Sequence, residues 1–185
     1  VSVIRQAAKA LDAANQKKIV HRKIEPSHIM LSPGGWVRVL GFGLARLAEP
    51  DDAAITAAGA LVGISPYCPP ETGDGVLDIR GDLYSLGCVF YHLLVGKPPF
   101  EGREPLELLR QHRVEQPWDL RDLVPGLPEG IGMIVSRLLD KSLTGRFQDP
   151  KELIAVLDAA VNPELIGVKN SRTDKALLSS TMEML

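Results

Sequence analysis

Ile4, Ala7, Ala8 and Leu11 repeat at i, i+3, i+4 and i+7 with charged and amide residues between them, which predicts an amphipathic helix over about residues 2–16. A charged turn, Gln16-Lys17-Lys18, and the apolar pair Ile19-Val20 follow. Two β-prone runs, Ile29-Met30-Leu31 and Trp36-Val37-Arg38-Val39-Leu40, flank Pro33-Gly34-Gly35 and predict a small hairpin. From Gly41 to Glu71 no period holds for long, and a loop of that length inside a compact domain points to function. Residues 80–95 are apolar on nearly every face, the pattern of a helix buried all round, and Pro98-Pro99 closes it. A shorter helix is predicted over 104–113. Another places Ile131, Ile134, Val135, Leu138 and Leu139 on one apolar face. Asp149-Pro150-Lys151-Glu152 announces the last one, with an N-cap aspartate, proline at the first helical position and glutamate at the third. Its inward face is Leu153, Val156, Leu157 and Ala160; beyond Val161 the pattern weakens, and no internal repeat is found.

Composition narrows this only modestly. The 185 residues, 45% of them hydrophobic, suit one domain with a core of its own. A balance of 21 Lys+Arg against 23 Asp+Glu, net -2, excludes a globally basic nucleic-acid binder. Cys68 and Cys88 make neither a metal spacing nor a disulfide framework, so a reducing, cytoplasmic setting is expected. The longest nearly apolar run, Leu83 to Val95, is broken by Ser85 and His92 and is too short to span a bilayer. The chain opens at Val1 already inside a helical pattern, from which the expectation is a soluble piece of a longer chain.

The chemistry enters through motifs. His21-Arg22-Lys23-Ile24-Glu25-Pro26-Ser27-His28, followed by Ile29-Met30-Leu31, resembles the catalytic loop of protein kinases, H-R-D-L-K-P-x-N. Gly41-Phe42-Gly43-Leu44-Ala45-Arg46 resembles their D-F-G-L-A-R turn, and Gly63-Ile64-Ser65-Pro66-Tyr67-Cys68-Pro69-Pro70-Glu71 the segment that closes the activation loop. Arg80-Gly81-Asp82-Leu83-Tyr84-Ser85-Leu86-Gly87, Gly96-Lys97-Pro98-Pro99-Phe100 and Arg146-Phe147 follow in family order. Each motif alone is weak; their order is hard to produce by chance. The resemblance is to the Ser/Thr protein kinases. It implies a mainly α fold: a kinase-like large lobe, with a helical bundle around a buried central helix and a small β-hairpin. It spans residues 1–161, with the small lobe absent, and leaves 162–185 as a tail. That tail is either disordered or a partner-binding helix with Leu178, Met182 and Leu185 on one face.

Position by position, the resemblance implies altered chemistry. The family's catalytic aspartate is Lys23 here, an ammonium group with no lone pair to accept a proton. Its phosphate-steadying lysine is Glu25, its metal-binding asparagine His28, and its metal-binding aspartate Gly41. Two readings of the swapped groups compete. In one, Glu25 is a displaced base or His28 a soft-metal ligand; in the other, Lys23 and Glu25 merely neutralise each other. The second leads to the expectation of a non-enzyme, a pseudokinase that binds neither ATP nor Mg²⁺ and works as a scaffold for protein partners, with no nucleic acid and no membrane segment. The alternatives are a kinase-related protein with residual or unconventional phosphoryl transfer, and a non-functional remnant. Ile29, Met30 and Leu31 correspond to the adenine floor. Ile64 replaces a threonine that contacts the base in the family. The resemblance gives architectural roles to Asp82 (anchor of the His-Arg pair), to His21 and Phe42 (hydrophobic spine), and to a Glu71–Arg146 ion pair. Arg22 and Thr56 correspond to a phosphate-gripping arginine and a phosphorylated loop threonine. The competing role for Arg22 is packing against its own loop.

Overall fold

A computed structural model describes residues 1–42, 46–47, 64–75 and 78–161. Helix α1 (Ser2–Asn15) turns Ile4, Ala7, Ala8, Leu11 and Ala14 inward, the face its periodicity predicts. Strand β1 (Ile19–Val20) pairs antiparallel with β4 (Arg46–Leu47). The loop between them carries the 3₁₀ turn Pro26–His28 and the hairpin β2 (Ile29–Leu31) and β3 (Val37–Val39), in which Met30 faces Arg38. Helices follow: α2 (Ile79–Val95), α3 (Pro105–Val114), the short α4 (Leu120–Leu123), α5 (Glu129–Leu138) and α6 (Pro150–Val161).

The bundle assembles around α2. Its N-terminus is capped by Asp78, whose carboxylate accepts from the Arg80 amide at 2.8 Å. Its C-terminus ends at Gly96, whose φ of 86° lets its N–H reach the His92 carbonyl. From Gly81 to Tyr91 every residue of α2 is buried. The expectation of burial on all faces fails only in the last turn, where Leu93 is exposed. Helix α1 lies against α2 and α6, and α5 against α2 and α6, so one continuous core holds Leu83, Leu86, Phe90, Ile134, Leu138, Phe147 and Leu157. Arg5 of α1 pairs with Asp158 of α6 over that core. Helix α4 is absent from the sequence prediction because four residues are too few for a period; its signal is local, the Asp119 carboxylate accepting from the Arg121 amide at 2.9 Å. Helix α6 begins as predicted, with Asp149 accepting from the Glu152 amide at 2.9 Å. Among the described residues no helix is long and apolar enough to cross a membrane.

One glycine fixes how closely α5 approaches the central helix. A Cβ added at Gly87 would lie 2.6 Å from Leu138 Cβ and 3.2 Å from Leu139 Cδ2. Alanine is intrinsically better than glycine in a helix by about 1 kcal/mol, but overpacking a rigid contact costs about 1–3 kcal/mol. Gly87→Ala is therefore expected to lower stability by about 1–2 kcal/mol, read as a reduced urea midpoint; an unchanged or raised midpoint would show that α5 shifts at little cost.

Candidate active site

The site is hung from the central helix. Asp82, on α2 and almost wholly buried, accepts the backbone N–H groups of His21 and Arg22, each at 2.7 Å. Burial pushes its carboxyl up to about 7, and the two amide hydrogen bonds oppose that shift. They also hold Arg22 at a φ of 68°, a left-handed conformation that costs a non-glycine residue energy unless its surroundings impose it. His21 is fully buried. Its Nε2 donates to the Leu40 carbonyl at 2.8 Å, its Nδ1 accepts from the Lys23 amide at 3.2 Å, and the Phe42 ring meets it edge-on at 4.6 Å. Burial lowers its pKa, so the ring is neutral and joins the loop to the Gly41-Phe42 turn as a packed spine.

Below that spine the four altered positions come together. The 3₁₀ turn presents His28, whose Nδ1 donates to the Lys23 carbonyl at 2.9 Å and lies 3.7 Å from Glu25 Oε1. The Ser27 hydroxyl donates to the same Glu25 oxygen at 2.6 Å. Glu25 thus turns toward Ser27 and His28 and makes no ion pair with Lys23, against the expectation that those two neutralise each other. Gly41 has a φ of 89°, and a Cβ there would fall 2.5 Å from His28 Cδ2 and 2.8 Å from Nε2. The imidazole fills the space that a side chain at position 41 would need. In the hairpin Ile29 is partly buried against the core, while Met30 and Leu31 are exposed.

A second cluster supports the segment at 64–72. Arg146, fully buried, grips Glu71 with both terminal nitrogens at 2.8 Å and also donates to the carbonyls of Asp140, Arg80 and Lys141. Arg113 donates to the Pro70 carbonyl at 2.9 Å, and the Tyr67 hydroxyl and His92 Nδ1 share a hydrogen bond at 2.7 Å. Beneath them lies a group that no motif signalled. His112 is fully buried, 3.0 Å from the Tyr84 hydroxyl and edge-on to Phe100; Lys141 Nζ sits 3.4 Å from that hydroxyl and 4.4 Å from the Phe100 centroid. Burial pulls His112 down to about 3 and Lys141 down to about 8. Tyr84, Phe100, His112 and Lys141 stand on separate elements, so only tertiary folding brings them together. Thr56 and the tail residues Leu178, Met182 and Leu185 lie outside the described residues.

Among the described residues no three His, Cys, Asp or Glu side chains lie together in a way that could hold a metal ion. His28 offers one nitrogen and Gly41 no side chain, so His28 is not assigned as a metal ligand. A hard cation such as Mg²⁺ would depend on oxygens beyond these two positions.

The buried imidazole sets a pH dependence. Below its ordinary value of 6.5 the unfolded chain protonates this histidine, while the native state holds it neutral down to about 3. Its contribution to stability is complete above pH 6.5 and is lost as pH falls toward 3, by about 1.4 kcal/mol per pH unit at most. His112→Gln is expected to be less stable than the parent at pH 7, with the gap narrowing as pH drops from 6.5 to 4. Urea titrations across that range measure it, and a gap that stays constant would show that His112 is protonated in the native state.

The family model described as the protein kinase domain matches residues 1–157. The chain is 36% identical over 185 residues to "Serine/threonine-protein kinase PknB" of Mycobacterium tuberculosis (strain ATCC 25177 / H37Ra), covering 97% of this chain and 29% of that protein. It is 38% identical over 144 residues to "Probable serine/threonine-protein kinase PknB" of Bifidobacterium longum (strain NCC 2705), covering 77% of this chain and 21% of that protein. The chain thus spans under a third of the length of these relatives. Two expectations are corrected by these matches: that the chain is not an enzyme, and that ATP and Mg²⁺ do not bind it. The match and the relatives' names point to a kinase enzyme, and to the ATP and Mg²⁺ that kinases use. The correction favours the reading set aside above, in which Glu25 is a displaced base. The loop still carries a carboxylate and an imidazole a few ångströms apart. The chain belongs to the protein kinase family.

Proposed function

We propose that this chain forms the large, helical part of a serine/threonine protein kinase, which moves the γ-phosphoryl group of ATP to a serine or threonine hydroxyl of a protein. The observation that carries the reading is the loop at 21–28, held on the central helix by Asp82 and locked to the Gly41-Phe42 turn through His21. Phosphoryl transfer asks mainly for positioning and electrostatic stabilisation, and such a rigidly hung loop supplies the first. The hairpin surface at Met30 and Leu31 offers apolar contact for a purine ring. The segment at 64–72, clamped by Arg146 and Arg113, would present a substrate chain in this reading. Mg²⁺ bound with ATP would supply neutralisation of phosphate charge. The cytoplasm, where ATP is present and thiols such as Cys68 and Cys88 stay free, suits this reading.

A regulatory or scaffolding contribution is the second reading, and the exposed Leu106 of α3 belongs to the surface that would serve it.

The full-length protein, incubated with γ-labelled ATP, Mg²⁺ and casein, is expected to transfer label to serine or threonine, identified by phosphoamino-acid analysis. Label no higher than in a heat-treated control, across a range of enzyme and ATP concentrations, would overturn the kinase reading.

A further inference from the structure

We propose that His28 is the group that takes the proton from the attacking hydroxyl, replacing the carboxylate that position 23 lacks; this rests on the kinase reading above. Its proton arrangement follows from its partners. A backbone carbonyl only accepts, so the 2.9 Å contact with the Lys23 oxygen requires the proton on Nδ1. Nε2 is then the ring nitrogen with a lone pair to offer, and no described residue hydrogen-bonds it. A Cβ at position 41 would stand over the ring at Cδ2, 2.5 Å away, so the glycine is what leaves the ring room.

The surroundings suit a proton acceptor. Glu25 Oε1 stands 3.7 Å from Nδ1, near enough to stabilise the imidazolium formed when Nε2 gains a proton, and the Ser27 hydroxyl fixes that carboxylate at 2.6 Å. The His21 ring, 5.8 Å away and edge-on, is buried and neutral, so it neither competes for the proton nor repels the cation strongly. Lys23 holds the ring through its backbone and has no lone pair to offer as an ammonium group. Glu25 itself is the weaker candidate, because the oxygen nearest the ring is already engaged by Ser27.

The step balances without a further reagent. The substrate hydroxyl oxygen bonds to the γ-phosphorus of ATP, and the bond from that phosphorus to the β,γ-bridging oxygen breaks, its electron pair leaving with ADP. The hydroxyl proton passes to His28 Nε2 and from there to solvent. The matched pair at 28 and 41 also explains why both positions depart from the family motif together: an aspartate at 41 and an imidazole at 28 claim the same space.

The test uses the full-length protein, γ-labelled ATP and a serine-containing peptide. His28→Gln is expected to lower kcat about 100-fold or more with KM for ATP within about threefold, and to abolish the acid limb of the pH–rate profile. His28→Asn, smaller and equally unable to accept the proton, is expected to behave alike if the glutamine variant folds poorly. ¹⁵N spectra of histidine-labelled protein are expected to show His28 with Nδ1 protonated and Nε2 bare. A kcat within threefold of the parent, a surviving acid limb in the folded variant, or an Nε2–H tautomer overturns the assignment and leaves the kinase reading standing. An acid limb lost instead in Glu25→Gln, with His28→Gln unaffected, transfers the role to the carboxylate. No transfer by the parent protein overturns both.

Discussion

A single buried carboxylate holds the loop at 21–28 to the fold. Asp82 stands on the central helix, and its two oxygens accept the amides of His21 and Arg22 about sixty residues earlier in sequence. Without that anchor the left-handed Arg22 would have no reason to persist, and the His21 ring would lose its place between Leu40 and Phe42. Burying the carboxylate is unfavourable in itself, as its upward shift shows, so the two amide hydrogen bonds offset a real desolvation cost. The glutamate–arginine pair at 71 and 146 repeats the device on the other side of the helix, with a buried guanidinium satisfied by a carboxylate and three carbonyls.

Between these anchors the chemistry has been rearranged. Positions 23, 25, 28 and 41 depart from the family motif, yet they do not leave a void. The imidazole of His28 lies where a side chain at 41 would be, its Nδ1 tied to the loop backbone, with a carboxylate beside it. Four substitutions that look independent along the chain form one packed unit in space. A side-chain inventory records which groups departed but not which were brought together.

The longer helices were legible because they carry a period or a cap. The apolar face of α1, the unbroken burial of α2 and the Asp149-Pro150 start of α6 are local signals, and the structure follows them within a residue or two. The same holds for the hairpin, whose turn residues and β-prone flanks announce it. The small pair of β1 with β4 was not legible, since two-residue strands have no alternation to read. Nor was the group of Tyr84, Phe100, His112 and Lys141, which has no motif and exists only because α2, α3 and the loops after them converge.

By itself, the sequence determined the order of the longer helices, the family resemblance and the residue types at each motif position, because periodicity, capping and motif spacing are local properties of a chain. Tertiary structure alone decided what those residues do to one another. It turned Glu25 toward His28 instead of Lys23, placed an imidazole in the space left by Gly41, and shifted His112 and Asp82 far from their ordinary pKa values. Such outcomes depend on distance, burial and hydrogen-bond geometry between residues remote in sequence, and those quantities come into being only when the chain packs.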